Sequence, residues 1–140
     1  MIEISRIEDK YLDGLKKMMM QENLEFNDVS LCLDTLYVVV DKLDVLGFGY
    51  YNQYGDDIYI DHLYVKTNER LTKLGDSLFR AILNSLALQG KEIVLMRSQT
   101  HYDGFLRAEN IELHDETFVI DLKEFFSRKC RSEKKKLPIN

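Results

Sequence analysis

Arg70, Leu71, Thr72, Lys73, Leu74 and Gly75, followed by Asp76 and Ser77, stand where the chain passes from turn-forming to helix-forming residues. A helix start is a natural anion site. Its first-turn N–H groups lack partners inside the helix and its dipole is positive there, so main-chain amides can grip a phosphate while Arg70 and Lys73 add charge. The same two side chains also suit a solvated turn. Just upstream, Asp61 and His62 are adjacent ionisable groups inside an apolar stretch, and His101 and Tyr102 form a second pair. A histidine titrates near neutrality, so His62 or His101 can take a proton directly or through water. Asp61 shares strand parity with Leu63 and Val65, which aims it along their face. The competing roles are structural: a packed histidine, and a buried carboxylate in a salt bridge.

The elements that must hold these groups are legible from periodicity. Ile58 to Val65 is β-branched, aromatic and apolar nearly throughout, as in a strand covered on both faces. From Leu74 the apolar residues Leu74, Leu78, Ile82 and Leu86 recur every fourth position, with Phe79 and Leu83 beside them, which is one face of a helix ended by Gly90. Ile2 to Ile7 reads as a first strand, and Glu8 to about Asn23 as a helix with a stripe of Tyr11, Leu12, Leu15, Met18 and Met19. Met18 to Met20 suit a core or an adaptable pocket wall. Leu24 to Asp34 is compatible with a short helix or a packed loop. Leu36 to Asp41 is a strand, since three successive valines disfavour helix, and with Val45 to Asn52 and Ile58 to Val65 it makes an antiparallel meander. Glu92 to Met96 is a short buried strand, so the helix before it is a crossover between parallel strands. His101 to Ala108 gives a short helix and Thr117 to Leu122 a last strand.

At Val65 to Leu78 the chain resembles the GNAT superfamily of acetyl-CoA-dependent N-acetyltransferases, in which a strand leads to an Arg/Gln-x-x-Gly-x-Gly/Ala loop and a helix. Arg70 and Gly75 match that loop, and Lys73 stands at its middle glycine. The order of elements over residues 2 to 122 also agrees. The fold implied is α/β (α+β): a central mixed sheet with an N-terminal antiparallel meander, a parallel β-α-β crossover and helices on both faces. By this resemblance coenzyme A is the cofactor. Its pyrophosphate falls to the amides of Leu71 to Gly75 with Arg70 and Lys73, at a helix opened by Thr72 to Ser77, and its pantetheine arm pairs with Leu63, Tyr64 and Val65, where the Leu63 N–H polarises the acyl carbonyl. The family's asparagine before the late helix falls on Gln99, and Leu106 occupies the place of the tyrosine that commonly protonates the leaving thiolate. Tyr102, one helical turn earlier, can reach the sulfur from a shifted position. Asp61 and His62 become candidates for taking the proton from the amine. The region 24 to 34 lies, in the family, beside the acceptor.

The implied activity is transfer of an acetyl group from acetyl-CoA to an amine of a small molecule or peptide, directly in a ternary complex. The alternative is a non-catalytic acyl-CoA-binding or protein-interaction module on the same fold, suggested by Lys73 and Leu106. Composition bounds both. The 140 residues, 45% hydrophobic, suffice for one core, so residues 1–127 are expected to form a single domain. Residues 128–140 carry six basic side chains and one acid, a local +5 that leaves −10 of the net −5 on the rest. Such a tail is expected to be flexible, and an acidic body suits a cationic amine rather than nucleic acid. No apolar run reaches about eighteen residues, so no membrane span is expected, and MIEISRIEDK lacks the basic start and apolar core of a signal peptide. Cys32 and Cys130 lack metal-ligand spacing, so no metal is expected and a reduced, cytoplasmic setting is the default. Gly-x-x-x-x-Gly-Lys-Ser/Thr, Gly-x-Gly-x-x-Gly, Gly-x-Ser-x-Gly and His-Glu-x-x-His motifs are absent. The acceptor's identity and the oligomeric state, a homodimer included, stay open.

Overall fold

The computed structural model describes residues 2–66 and 73–127, with the backbone alone at Asp28, Thr100, His101 and Tyr102. Arg70, Leu71 and Thr72 of the proposed anion loop, and the basic tail 128–140, lie outside the described residues. The elements are β1 (Ile2–Arg6), α1 (Asp9–Gln21), α2 (Phe26–Ser30), a 3-10 turn (Leu33–Thr35), β2 (Leu36–Asp41), β3 (Asp44–Tyr54), β4 (Asp57–Val65), α3 (Leu74–Leu88), β5 (Ile93–Arg97), α4 (Thr100–Ala108), β6 (Glu112–His114) and β7 (Thr117–Asp121). Residues 122–127 are helical. The segment compatible with helix or loop is thus α2 and the 3-10 turn. The short β6 is an element that the periodicity does not announce, because three exposed residues carry no apolar alternation.

The strands form one mixed sheet in the order β1-β2-β3-β4-β5-β7-β6, antiparallel except for β4 beside β5. Each face is covered by helices from a different part of the chain. Tyr11, Leu15, Met18 and Met19 of α1 pack with Val29 of α2 against Leu36, Val38, Val40, Phe48 and Tyr50. On the other face, Leu74, Leu78, Phe79, Ile82, Leu83 and Leu86 of α3 and Leu106 of α4 pack against Val39, Ile58, Ile60, Leu63, Val65, Val94 and Met96. This explains the three successive valines: β2 alternates between two cores, so every one of them is buried. Each fully buried aliphatic or aromatic side chain contributes roughly 1.5–3 kcal/mol, so the α3 stripe is a principal source of the fold's stability. Met20 is 78% exposed, and core filling accounts for Met18 and Met19 alone.

Gly47 sits directly across from Val65, and a Cβ there would lie 2.8 Å from the Tyr64 carbonyl oxygen. Its lack of a side chain lets β3 and the upper end of β4 close tightly under α3.

Candidate active site

β4 and β5 part company early. Tyr59 and Leu95 form the one register pair between them among the described residues, whereas on its other side β4 stays in register with β3 up to Val65 opposite Gly47. The cause is local: the β3–β4 register skips a residue between Tyr50↔His62 and Tyr51↔Ile60, so Asp61 is the extra residue of a β-bulge. A bulge bends its strand and sharpens the twist, which turns the upper half of β4 away from β5.

The bulge also corrects the parity reading of Asp61. Ile58 and Ile60 before it, and Leu63 and Val65 after it, all lie in the core beneath α3. With one residue inserted, strict alternation fails at Asp61 and His62, and neither shares the face of Leu63 and Val65. His62 stacks between Phe48 and Tyr50, at 5.1 Å and 5.7 Å between ring centres, and lies against Tyr64. Asp61 accepts hydrogen bonds at Oδ2 from Asn52 Nδ2 (2.8 Å) and the Tyr54 hydroxyl (2.5 Å), and at Oδ1 from Arg97 Nη1 (3.0 Å). Asn52 in turn donates to the Cys32 sulfur at 3.5 Å, which ties the cluster to the segment between α2 and β2. The phenol of Tyr54 is pushed above its ordinary pKa, chiefly because its hydrogen bond to Asp61 holds the proton, with burial and the carboxylate's charge adding to the effect.

At the other end of the opening, α3 begins with Lys73 as its N-cap in the left-handed conformation, φ 64° and ψ 15°. A lysine there carries roughly 1–2 kcal/mol of strain that glycine would avoid. Its side chain is exposed and makes no cap hydrogen bond to the amides that open the helix. Ser77 N–H returns to the Lys73 carbonyl at 3.2 Å, so the amides of Leu74, Gly75 and Asp76 precede the helix's own hydrogen-bond ladder. The Asp76 carboxylate belongs elsewhere: Arg80 binds it at 3.0 Å and reaches Glu109 at 2.9 Å, fastening α3 to the end of α4. Burial raises the Glu109 pKa first, its contact with Asp76 adds to that, and Arg80 opposes both. Ser77 is exposed. A methyl group placed on Gly75 would meet Val65 Cγ2 at 3.6 Å, an ordinary contact, so among the described residues there is room for a side chain there.

No protein-family model matches the sequence, and no curated protein does. Many solved structures share the fold. The PaiA N-acetyltransferase from Thermoplasma acidophilum, in complex with coenzyme A, is similar over 85% of this chain and 96% of its own, at 13% identity and a TM-score of 0.64. An acetyltransferase of the GNAT family from Staphylococcus aureus is similar over 87% and 99%, at 11% identity and a TM-score of 0.65. For the loading GNATL domain of CurA from Lyngbya majuscula the shares are 89% and 99%, at 9% identity and a TM-score of 0.72. This chain has the GNAT fold.

In this GNAT-fold chain the sequence-derived candidates fall into two groups. Leu63, Tyr64 and Val65 line the parted edge of β4, and Lys73, Leu74 and Gly75 open α3 behind it. Gln99 is the N-cap of α4: its amide N–H is bound by Asp103 Oδ1 at 2.6 Å and its side chain is exposed. Tyr102 lies in the first turn of α4, and Leu106 one turn later is wholly buried, so the place of the family's tyrosine is here a core position. Tyr54, Asn52 and Arg97 join Asp61 without a motif in the sequence that announces the cluster. Arg97 had a signal, being the first charged residue at the carboxyl end of a buried parallel strand, where α/β folds put functional groups. Among the described residues no group of three or more His, Cys, Asp or Glu could hold a metal ion, and no helix is long and apolar enough to cross a membrane.

Gly75→Ala separates fold from ligand. Alanine in a helix is more stable than glycine by about 0.5–1 kcal/mol, so the melting temperature rises slightly while affinity for a phosphate-bearing ligand falls. Differential scanning fluorimetry with and without coenzyme A reads both; unchanged affinity would mean that the ligand keeps clear of this amide.

Proposed function

We propose that this chain transfers an acetyl group from acetyl-CoA to an amine. The observation that carries the reading is the opening between β4 and β5, with the first amides of α3 at one end and Asp61 at the other. These residues fit coenzyme A: the amides of Leu74 and Gly75, with Arg70, Leu71, Thr72 and Lys73, would take the pyrophosphate, and Leu63, Tyr64 and Val65 would border the pantetheine arm. When bound, acetyl-CoA supplies an acyl carbon activated by its thioester.

The chain's own groups have three tasks. Asp61 accepts the proton that the ammonium must lose, through the lone pair left on Oδ1 beside Arg97. His62, stacked among aromatic rings, is the second candidate and would act through water. The Leu63 N–H would stabilise negative charge on the acyl oxygen, and Tyr102 would supply a proton to the thiol leaving group; because a thiol has a pKa near 8.5, that donor would assist rather than decide. Gln99 would steady the cofactor with its amide. The acceptor is a small amine or a peptide amine, and the setting we assign is cytoplasmic, on the cysteine usage of the sequence.

The test is a thermal shift with acetyl-CoA, which at about a hundredfold its dissociation constant adds roughly 2.7 kcal/mol. Arg70→Ala with Lys73→Ala removes most of that shift. A double variant that responds like the parent would place the pyrophosphate elsewhere, and tight binding without thiol release across a broad amine panel would favour a non-catalytic module.

A further inference from the structure

Arg97 is held in an unusual way for a surface arginine. Its guanidinium carbon lies 4.3 Å from the centre of the Tyr59 ring and 5.7 Å from that of Tyr54, so it is flanked by two aromatic rings that meet edge to face. Its Nη1 binds Asp61 Oδ1 at 3.0 Å, and the opposite oxygen of that carboxylate is already filled by Asn52 and Tyr54. An isolated surface ion pair contributes little and leaves the arginine mobile. Here stacking and the clamped carboxylate fix the side chain together, so the entropy cost of ordering a long cation is met before any ligand arrives.

The charge presented outward is positive. Asp61 is 15% exposed in its side chain and Arg97 55%, and Arg97 Nε and Nη2 have no protein partner among the described residues. A planar guanidinium edge with its donors free matches the two oxygens of a carboxylate. The location matters as much as the chemistry. Asp61 and Arg97 each stand two residues beyond the Tyr59↔Leu95 row, so the pair spans β4 and β5 at the point where they separate, on the sheet face opposite α3.

We propose that Arg97 receives a carboxylate on the acyl acceptor, so that the substrate is an amine of the amino-acid type whose ammonium sits on Asp61 Oδ1 and whose carboxylate sits on the Arg97 edge. The adjacent acid and base form a neutral pair whose complement is a zwitterion rather than a plain cation. This modifies the expectation drawn from the acidic body of the chain. The fate of the amine rests on the acetyl-transfer reading; the anion site does not.

Glycine, β-alanine and L-lysine are compared, each beside its own amide, with 2-aminoethyl phosphate as the phosphate arm. Binding to the full chain is followed by NMR titration without acetyl-CoA, and acetylation by thiol release with it. The free acids bind, and show KM values, at least about tenfold below the amides, the size of one lost charge-assisted hydrogen-bond pair. Arg97→Gln brings acid and amide together, and Arg97→Lys, which keeps the charge without the fork, restores part of the gap. Equal binding of acids and amides by the parent chain, or an acid preference that survives Arg97→Gln, overturns the proposal. Preference for the phosphate over every carboxylate overturns the carboxylate assignment. Absence of any acetyl-CoA thermal shift sinks the transfer reading alone, because the titration still decides the anion site.

Discussion

Asp61→Asn lowers acetyl transfer at least about a hundredfold, the loss expected when a positioned proton acceptor is removed. Asparagine keeps the shape but brings an NH2 where every neighbour is already a donor. Asn52, Tyr54 and Arg97 all point hydrogens at this carboxylate, so the amide must turn its own donors on Arg97 or on the other two. A fold cost of about 1–3 kcal/mol follows from the donor left unsatisfied, which the melting temperature reports separately. Tyr54 gives an independent readout. Its phenol is raised above 10.0 mainly by the Asp61 hydrogen bond, and an acid raised in the folded state gives stability that is present below the unfolded pKa and lost as pH climbs through the folded value. In the variant, ultraviolet titration finds Tyr54 nearer its ordinary range, and the stability lost at alkaline pH shrinks. Wild-type turnover in a well-folded variant with a normalised Tyr54 would remove Asp61 from the chemistry and leave it a structural anchor.

Phe79→Ala destabilises by about 3–5 kcal/mol, a large part of the roughly 5–15 kcal/mol that holds a domain together. Phe79 is wholly buried on α3 and meets two rings edge to face, Phe105 of α4 at 5.3 Å and Phe125 of the helical residues 122–127 at 6.0 Å. Removing it opens a cavity at the junction of three helical segments. The Arg80 bridge from Asp76 to Glu109 spans the same two helices, so some docking of α4 on α3 persists. Chemical denaturation at equilibrium measures the loss; a change under about 1 kcal/mol would mean that the three segments repack around the void.

The two predictions probe layers that were unequally legible. The α3 stripe at Leu74, Leu78, Ile82 and Leu86 names its own buried face, because helical periodicity is a property of consecutive residues and needs no partner to define it. The valines of β2, the β4–α3–β5 crossover and the start of α3 at Leu74 follow in the same way, and with them the fold class. Lys73 shows the limit. Its type departs from the glycine of the family loop, and only the backbone, at φ 64°, reveals that the position is left-handed and that glycine belongs there for a conformational reason.

Asp61 and Arg97 lie wholly on the other side of that limit. The sequence names an aspartate on the central strand and assigns it a face by counting in twos. A bulge is an offset between two paired strands, so it leaves no mark in either one, and it sends Asp61 and His62 away from the face that counting gives them. Arg97 is 36 residues from Asp61, and its meeting with Asp61, Tyr54 and Tyr59 depends on which strands are neighbours and on the row where they stop pairing. The chain's amino acids by themselves determined which segments are strand or helix, which faces are apolar and where the helices begin, since those are local preferences. Register, the parting of β4 from β5 and the company each ionisable group keeps were decided by tertiary structure alone, because they are set by contacts between residues far apart in the chain.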